Sequence, residues 1–142
     1  MLRFLQKRKF RLVTRWKLAL KDNMGFQVPA HAPFPFTLIF RAFDEVIRLL
    51  KLDASGTSFD APESFLANVS DDATPTADQY MELFLSGRDV LGEFLESDPS
   101  FCSLFEETPR RELRASLEQV FKHLIDREMR EYARRHSSIM PR

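Results

Sequence analysis

Residues 108–136 read TPRRELRASLEQVFKHLIDREMREYARRH. Leu113, Leu117, Val120, Phe121, Leu124, Ile125, Met129 and Tyr132 recur at helical spacing and make one continuous apolar stripe. Thr108-Pro109 is a start signal, because proline in a first helical turn gives up an N–H that has no partner there. The stretch is therefore a long amphipathic helix with one face committed to a core. It sets the fold class as all-α, a compact helical bundle.

The upstream stretches support the same reading. Asp98-Pro99 starts a short turn of helix carrying Phe101, Leu104 and Phe105. From Ala77 to about Glu96, Tyr80, Phe84, Leu91 and Leu95 form a buried face flanked by Met81, Leu83, Val90 and Phe94. Thr76 and Gln79 are spaced as a capping box before it. Gly87 and Gly92 interrupt this helix at about 1 kcal/mol each relative to alanine. A short helix is expected from Pro62 to about Val69. Phe36, Phe40, Phe43, Ile47 and Leu50, widened by Ile39 and Val46, predict a central helix from about Phe36 to Leu52. Composition agrees: 14 Phe and 4 Gly among 142 residues favour a large core and disfavour an all-β fold rich in turn glycines.

Leu2 to Lys21 also fits an amphipathic helix, with Leu2, Leu5, Leu12, Val13, Trp16 and Leu20 on one face. Lys9 breaks the stripe, and Phe4, Phe10 and Leu18 lie off it. Asn23-Met24-Gly25 reads as a helix stop. Pro29, Pro33 and Pro35 then hold an extended connector. The expected organisation is a basic amphipathic arm over 1–21, an extended connector over 22–35, a helical bundle over 36–136 and a tail over 137–142.

The formal net charge of zero conceals a segregation along the chain. Arg3, Lys7, Arg8, Lys9, Arg11, Arg15, Lys17 and Lys21 put eight positive charges in the first 21 residues, with no acid among them. Between Asp53 and Glu107 thirteen acids face one base, Arg88. The final stretch is mildly basic. Such asymmetry concerns partners rather than fold. Arg3, Lys7, Arg8, Arg11, Arg15, Trp16, Lys17 and Lys21 are the candidate partner-binding residues, and Asp89, Glu93 and Glu96, a row on one helix, are a candidate acidic docking face. Three readings of the arm stand side by side. It docks on something outside its own bundle, or its apolar face packs on its own domain with its charges against the acidic middle, or it is a mitochondrial targeting segment. Such a segment is amphipathic, Arg-rich and acid-poor, and the arm, which lacks serine, matches it only in part.

No catalytic constellation is visible, and the chain is expected to be non-enzymatic. Cys102, the sole cysteine, excludes an internal disulfide, favours a reducing compartment and reads as a buried structural residue. His31, His123 and His136 share no metal spacing. Leu52-Asp53-Ala54-Ser55-Gly56-Thr57 resembles part of an EF-hand loop, but Lys51 would occupy its first position and Pro62 its twelfth, so a capped surface turn is expected and no metal or cofactor. Arg127, Arg130, Arg134 and Arg135, mixed with Asp126, Glu128 and Glu131, read as surface ion pairs along the last helix. The longest apolar run, 34–40, is too short to span a bilayer. The expected function is an accessory or structural subunit of a larger, intracellular assembly. Its mitochondrial, membrane-associated setting follows from the acid-poor, amphipathic N-terminus. Other protein subunits are the first partner class, a membrane surface the second and nucleic acid the third, as for a ribosome-bound or viral factor. A stand-alone helical adaptor is a further alternative, and no small-molecule substrate is indicated.

Overall fold

The long C-terminal helix follows the stripe read in the sequence. Leu113, Leu117, Val120, Phe121 and Leu124 are buried, while Ile125, Met129 and Tyr132 pack partly buried at the edge of the core. The computed structural model describes residues 1–24, 34–59 and 77–137. Its elements are α1 (Leu2–Lys7), α2 (Lys9–Met24), α3 (Phe34–Ala54), α4 (Ala77–Ser97), α5 (Pro99–Leu104) and α6 (Glu107–Ser137). The fold is all-α, and there is no strand among the described residues.

Cross-helix contacts fix the directions. Glu45 meets Arg127 and Asp53 meets Ser116, so α3 runs antiparallel to α6. Tyr80 meets Glu128 and Glu96 meets Arg114, so α4 also runs antiparallel to α6. Phe4 meets Phe94 while Trp16 meets Leu83, so the α1–α2 pair runs antiparallel to α4. α2 and α6 each pack on both α3 and α4. The result is a four-helix bundle with α2 and α6 on one diagonal and α3 and α4 on the other. The Trp16 and Phe121 rings meet across its centre, 6.0 Å apart.

This architecture corrects the division into an arm and a separate bundle. Leu5, Leu12, Val13, Trp16 and Leu20 are at most 1 % exposed and share one core with Phe43, Phe84 and Phe121. α2 is the fourth wall of the bundle. The physical reason is the breadth of apolar surface on α3 and α4, which three helices leave uncovered and the α2 stripe closes. Trp16 is the largest of the fully buried side chains. Burying a ring of that size stabilises the fold by roughly 4 kcal/mol or more.

A second correction concerns continuity. The predicted single helix over Leu2–Lys21 is two helices that meet at Arg8, whose φ of −106° and ψ of 17° end α1. The break turns Phe4, which lay off the stripe, into an aromatic cluster with Phe94, Phe101 and Phe105. The Arg8 guanidinium covers the Phe4 ring at 3.4 Å and donates to the Phe4 carbonyl. Lys9 then binds Asp44 of α3 at 2.6 Å, which settles the position that interrupted the stripe.

The other boundaries lie close to expectation. α2 continues to Met24, and α3 begins at Phe34 rather than Phe36, because Pro35 is compatible with a first turn. Both shorten the expected 22–35 connector. The Asp98 side chain accepts from the Phe101 N–H and caps α5, with Pro99 next in line. α3 ends in a Schellman motif: Gly56 has φ +74°, Thr57 N–H donates to Leu52 and Gly56 N–H to Asp53. The run likened to part of an EF-hand is thus a helix terminus. Pro29, Pro33, the helix expected at Pro62–Val69, Thr76 and the tail beyond Ser137 lie outside the described residues.

Candidate interaction surface

The helical repeat of α2 divides its residues between two faces. Leu12, Val13, Trp16 and Leu20 face inward, and Arg11, Arg15, Lys17, Leu18 and Lys21 are exposed on the opposite side. The inward face is held by more than packing. Trp16 Nε1–H donates to the Leu83 carbonyl at 2.8 Å, and Asn23 donates to the buried Ser86 hydroxyl at 3.0 Å. Gly87 of α4 lies against the Trp16 indole so closely that a Cβ there would overlap the ring. Its absence of a side chain is what lets α2 approach α4.

The outward face is cationic and carries two large apolar side chains. Phe10 is 70 % exposed and Leu18 55 %. Arg3, Lys7, Arg11, Arg15 and Lys21 are exposed and form no ion pair among the described residues. Of the eight candidate partner-binding residues, seven are thus cations at or near the surface, with Arg8 half-buried over Phe4. Trp16 is the exception: fully buried and hydrogen-bonded inside, it reaches no outside partner without unfolding.

The acidic row is longer than Asp89, Glu93 and Glu96. Asp78 and Glu82 continue it along the outer side of α4, so five carboxylates occupy one narrow strip of that helix. Glu96 is bound by Arg114 of α6, and Asp89 lies 3.6 Å from Arg88. Glu82 and Glu93 form no ion pair among the described residues.

A different group of charges lies inside. Glu45 of α3 receives Arg48 and, at 2.9 Å, Arg127 of α6. Arg127 also binds Glu128 at 2.8 Å, and Tyr80 of α4 donates to the other Glu128 oxygen at 2.8 Å. Glu128 is fully buried, and the Arg127 and Glu45 side chains are about nine-tenths buried. Burial alone raises the Glu45 pKa, but hydrogen bonds from Arg48 and Arg127 and their positive charges outweigh it, so the carboxyl is held below the usual glutamate range. This corrects the expectation that Arg127 and Glu128 are surface ion pairs. A signal was present: Leu117, Phe121 and Leu124 lead to Glu128 at the same three-and-four spacing. Arg134 and Glu131, by contrast, do pair near the surface.

The remaining candidates are separated from one another. Cys102 is half-buried rather than buried; it donates to the Glu96 carbonyl at 3.3 Å and accepts from Arg110 at 3.1 Å, while His123 stacks near Phe59. His31 lies outside the described residues. No group of three His, Cys, Asp or Glu among the described residues could hold a metal ion. Asp53, at the third position of the EF-hand-like fragment, accepts from Ser116 instead. A cleft between α4 and α6 is lined by Leu95, Glu96, Glu107, Arg110, Arg111 and Arg114, and its cations are engaged: Arg111 with Glu107, Arg114 with Glu96, Arg110 with the Phe105 carbonyl. Among the described residues no helix is long and apolar enough to cross a membrane. Comparison with known proteins returns no matching family model, curated protein or solved structure.

Proposed function

We propose that the protein is a non-enzymatic accessory subunit of a larger assembly, which it joins through the outer face of α1 and α2. The observation that carries the reading is the division of α2. Its apolar stripe is spent on the core, while Arg11, Arg15 and Lys21 stand in solvent beside exposed Leu18 and Phe10. Cations around an exposed apolar pair suit a carboxylate-bearing protein surface. A lipid surface is a poorer match, since an interfacial helix needs the whole apolar face that α2 has given to the interior. Nucleic acid is poorer still, because the α4 carboxylates flank the cations and repel phosphate. The proposal keeps the N-terminal segment as part of the fold, because removing a leader through residue 21 would take Trp16 and Leu20 out of the core. That argues against a cleaved mitochondrial address.

The test is the size of the tagged chain in an extract of its source. Wild type is expected to migrate well above the mass of one chain, and Arg11→Glu, Arg15→Glu and Lys21→Glu together are expected to bring it down. Wild type at single-chain mass would overturn the proposal, as would a complex dissolved by nuclease or detergent.

A further inference from the structure

We infer that one acidic surface met by α2 is the α4 strip of a second copy of this chain, in a twofold dimer whose axis runs along the helices. The inference rests on the reading of α2 as a docking face and names an occupant for it.

Three observations support it. The first is charge. α2 and α4 are antiparallel neighbours on one side of the bundle, one carrying Arg11 and Arg15, the other Glu82, Asp89 and Glu93. The chain as a whole has zero formal charge, so no net repulsion opposes the approach of two copies. The second is that complementarity is left unused within one molecule. Arg11, Arg15, Glu82 and Glu93 form no ion pair among the described residues, because the two helices turn these side chains outward rather than toward each other.

The third is register. Phe4 touches Phe94 and Phe101 at one end of the α2–α4 layer, and Trp16 reaches Leu83 and Gly87 farther along. Interpolating between these contacts puts Arg11 level with Asp89 and Arg15 between Asp89 and Glu82, and the same line continued puts Lys21 beside Glu82. An axis parallel to the helices lays α2 of each copy over α4 of the other and preserves those levels. Each dimer then repeats the match twice, as an isologous interface requires. Leu18, on the same strip as Arg11 and Arg15, would be covered. Asp22 and Asp78 are the like-charge approach, and they fall at the rim, where water screens them.

Sedimentation velocity on the full-length protein, across a concentration series at low and high salt, tests this. Wild type is expected to dimerise at low salt and to weaken as salt rises. Arg11→Glu with Arg15→Glu, or Asp89→Arg with Glu93→Arg, should each weaken association by about tenfold or more. Mixing the two reversed variants should restore it, since in the mixed dimer both contacts again join opposite charges. Circular dichroism of each variant checks that it is folded; if either one unfolds, the milder pair Arg15→Ala and Asp89→Ala replaces it. A wild type that stays monomeric throughout, or a dimer indifferent to both reversals, overturns the inference. If wild type is monomeric yet still enters a larger complex lost on reversing Arg11, Arg15 and Lys21, the proposed function stands and only the identity of the occupant fails.

Discussion

The outer face of α2 and the chain of charges joining α3, α4 and α6 are made of the same residue types. At the α2 surface, Arg11, Arg15 and Lys21 stand in water without ion pairs among the described residues. Inside, Glu45, Arg127, Glu128 and Tyr80 are joined by ion pairs and a hydrogen bond of 2.8–2.9 Å. Water screens the first set and costs it nothing to keep, so its value lies in what it can meet. The second set has lost its hydration, so each member depends on the others. A mutation should therefore report on stability in one region and on association in the other.

Removing a buried partner should give the largest effect. Glu128→Ala leaves Arg127 short of one carboxylate and the Tyr80 hydroxyl without its acceptor, at an expected cost of about 3–5 kcal/mol. Chemical denaturation would measure it. Replacing the pair together, Arg127→Met with Glu128→Leu, should cost less, because no buried guanidinium is left short of a carboxylate and Glu45 keeps Arg48 as its cation. Equal losses from the single and double variants would mean that the chain of charges is not coupled as drawn.

The same region shows what the sequence discloses and what it withholds. The α6 stripe from Leu113 to Tyr132 was legible because periodicity depends on one helix alone. So was the burial of one face of α2. What that face packs against was not legible, since an amphipathic stripe records the need for a cover and not its identity. Taking charge segregation as the sign of an external cover separated Trp16 from the core to which it belongs. The break at Arg8 was foreshadowed by Lys9 on the stripe and Phe4 off it, but its cause lies in Phe94, Phe101 and Phe105, far along the chain. The acidic strip on α4 could be read from spacing, whereas the engagement of Glu96 by Arg114 needed the packed bundle.

Next in size is the contact that seats α2 against α4. Gly87 and Gly92 look alike in the sequence, two glycines in one helix, and differ in what surrounds them. A Cβ at Gly87 would overlap the rigid, hydrogen-bonded indole of Trp16. Gly87→Ala is expected to cost about 1–3 kcal/mol even after the gain in helix propensity. At Gly92 the nearest atom to a new Cβ is Arg114 Nη2 at 3.9 Å, an ordinary contact. Gly92→Ala should stabilise by up to about 1 kcal/mol. Thermal melts of the two variants should move in opposite directions, and a shift of the same sign in both would contradict the placement of Trp16.

A smaller, pH-dependent effect follows from Glu45. Its carboxyl pKa is lower in the folded protein than in the unfolded chain, despite burial, because Arg48 and Arg127 hold the ionised form. The unfolded chain therefore takes up this proton first as pH falls. The stabilisation from Glu45 is complete above the ordinary glutamate range and is lost as pH drops through that range toward the folded value. Glu45→Gln should lower the melting temperature at neutral pH and flatten its fall in acid. Parallel curves for wild type and variant would show that Glu45 titrates normally.

The smallest effect on stability is expected at the outer face, and its smallness is the informative result. Arg11 and Arg15 contact solvent, form no ion pair among the described residues and sit in a helix whose other side supplies the packing. Serine at both positions removes two like charges from a strongly basic segment and gives up a little helix propensity, two changes of opposite sign. The melting temperature should stay where it was, while any association made through this face weakens. A marked loss of stability would mean that the two arginines serve the bundle itself, and the distinction between a face that holds the fold and a face that meets a partner would fail at α2.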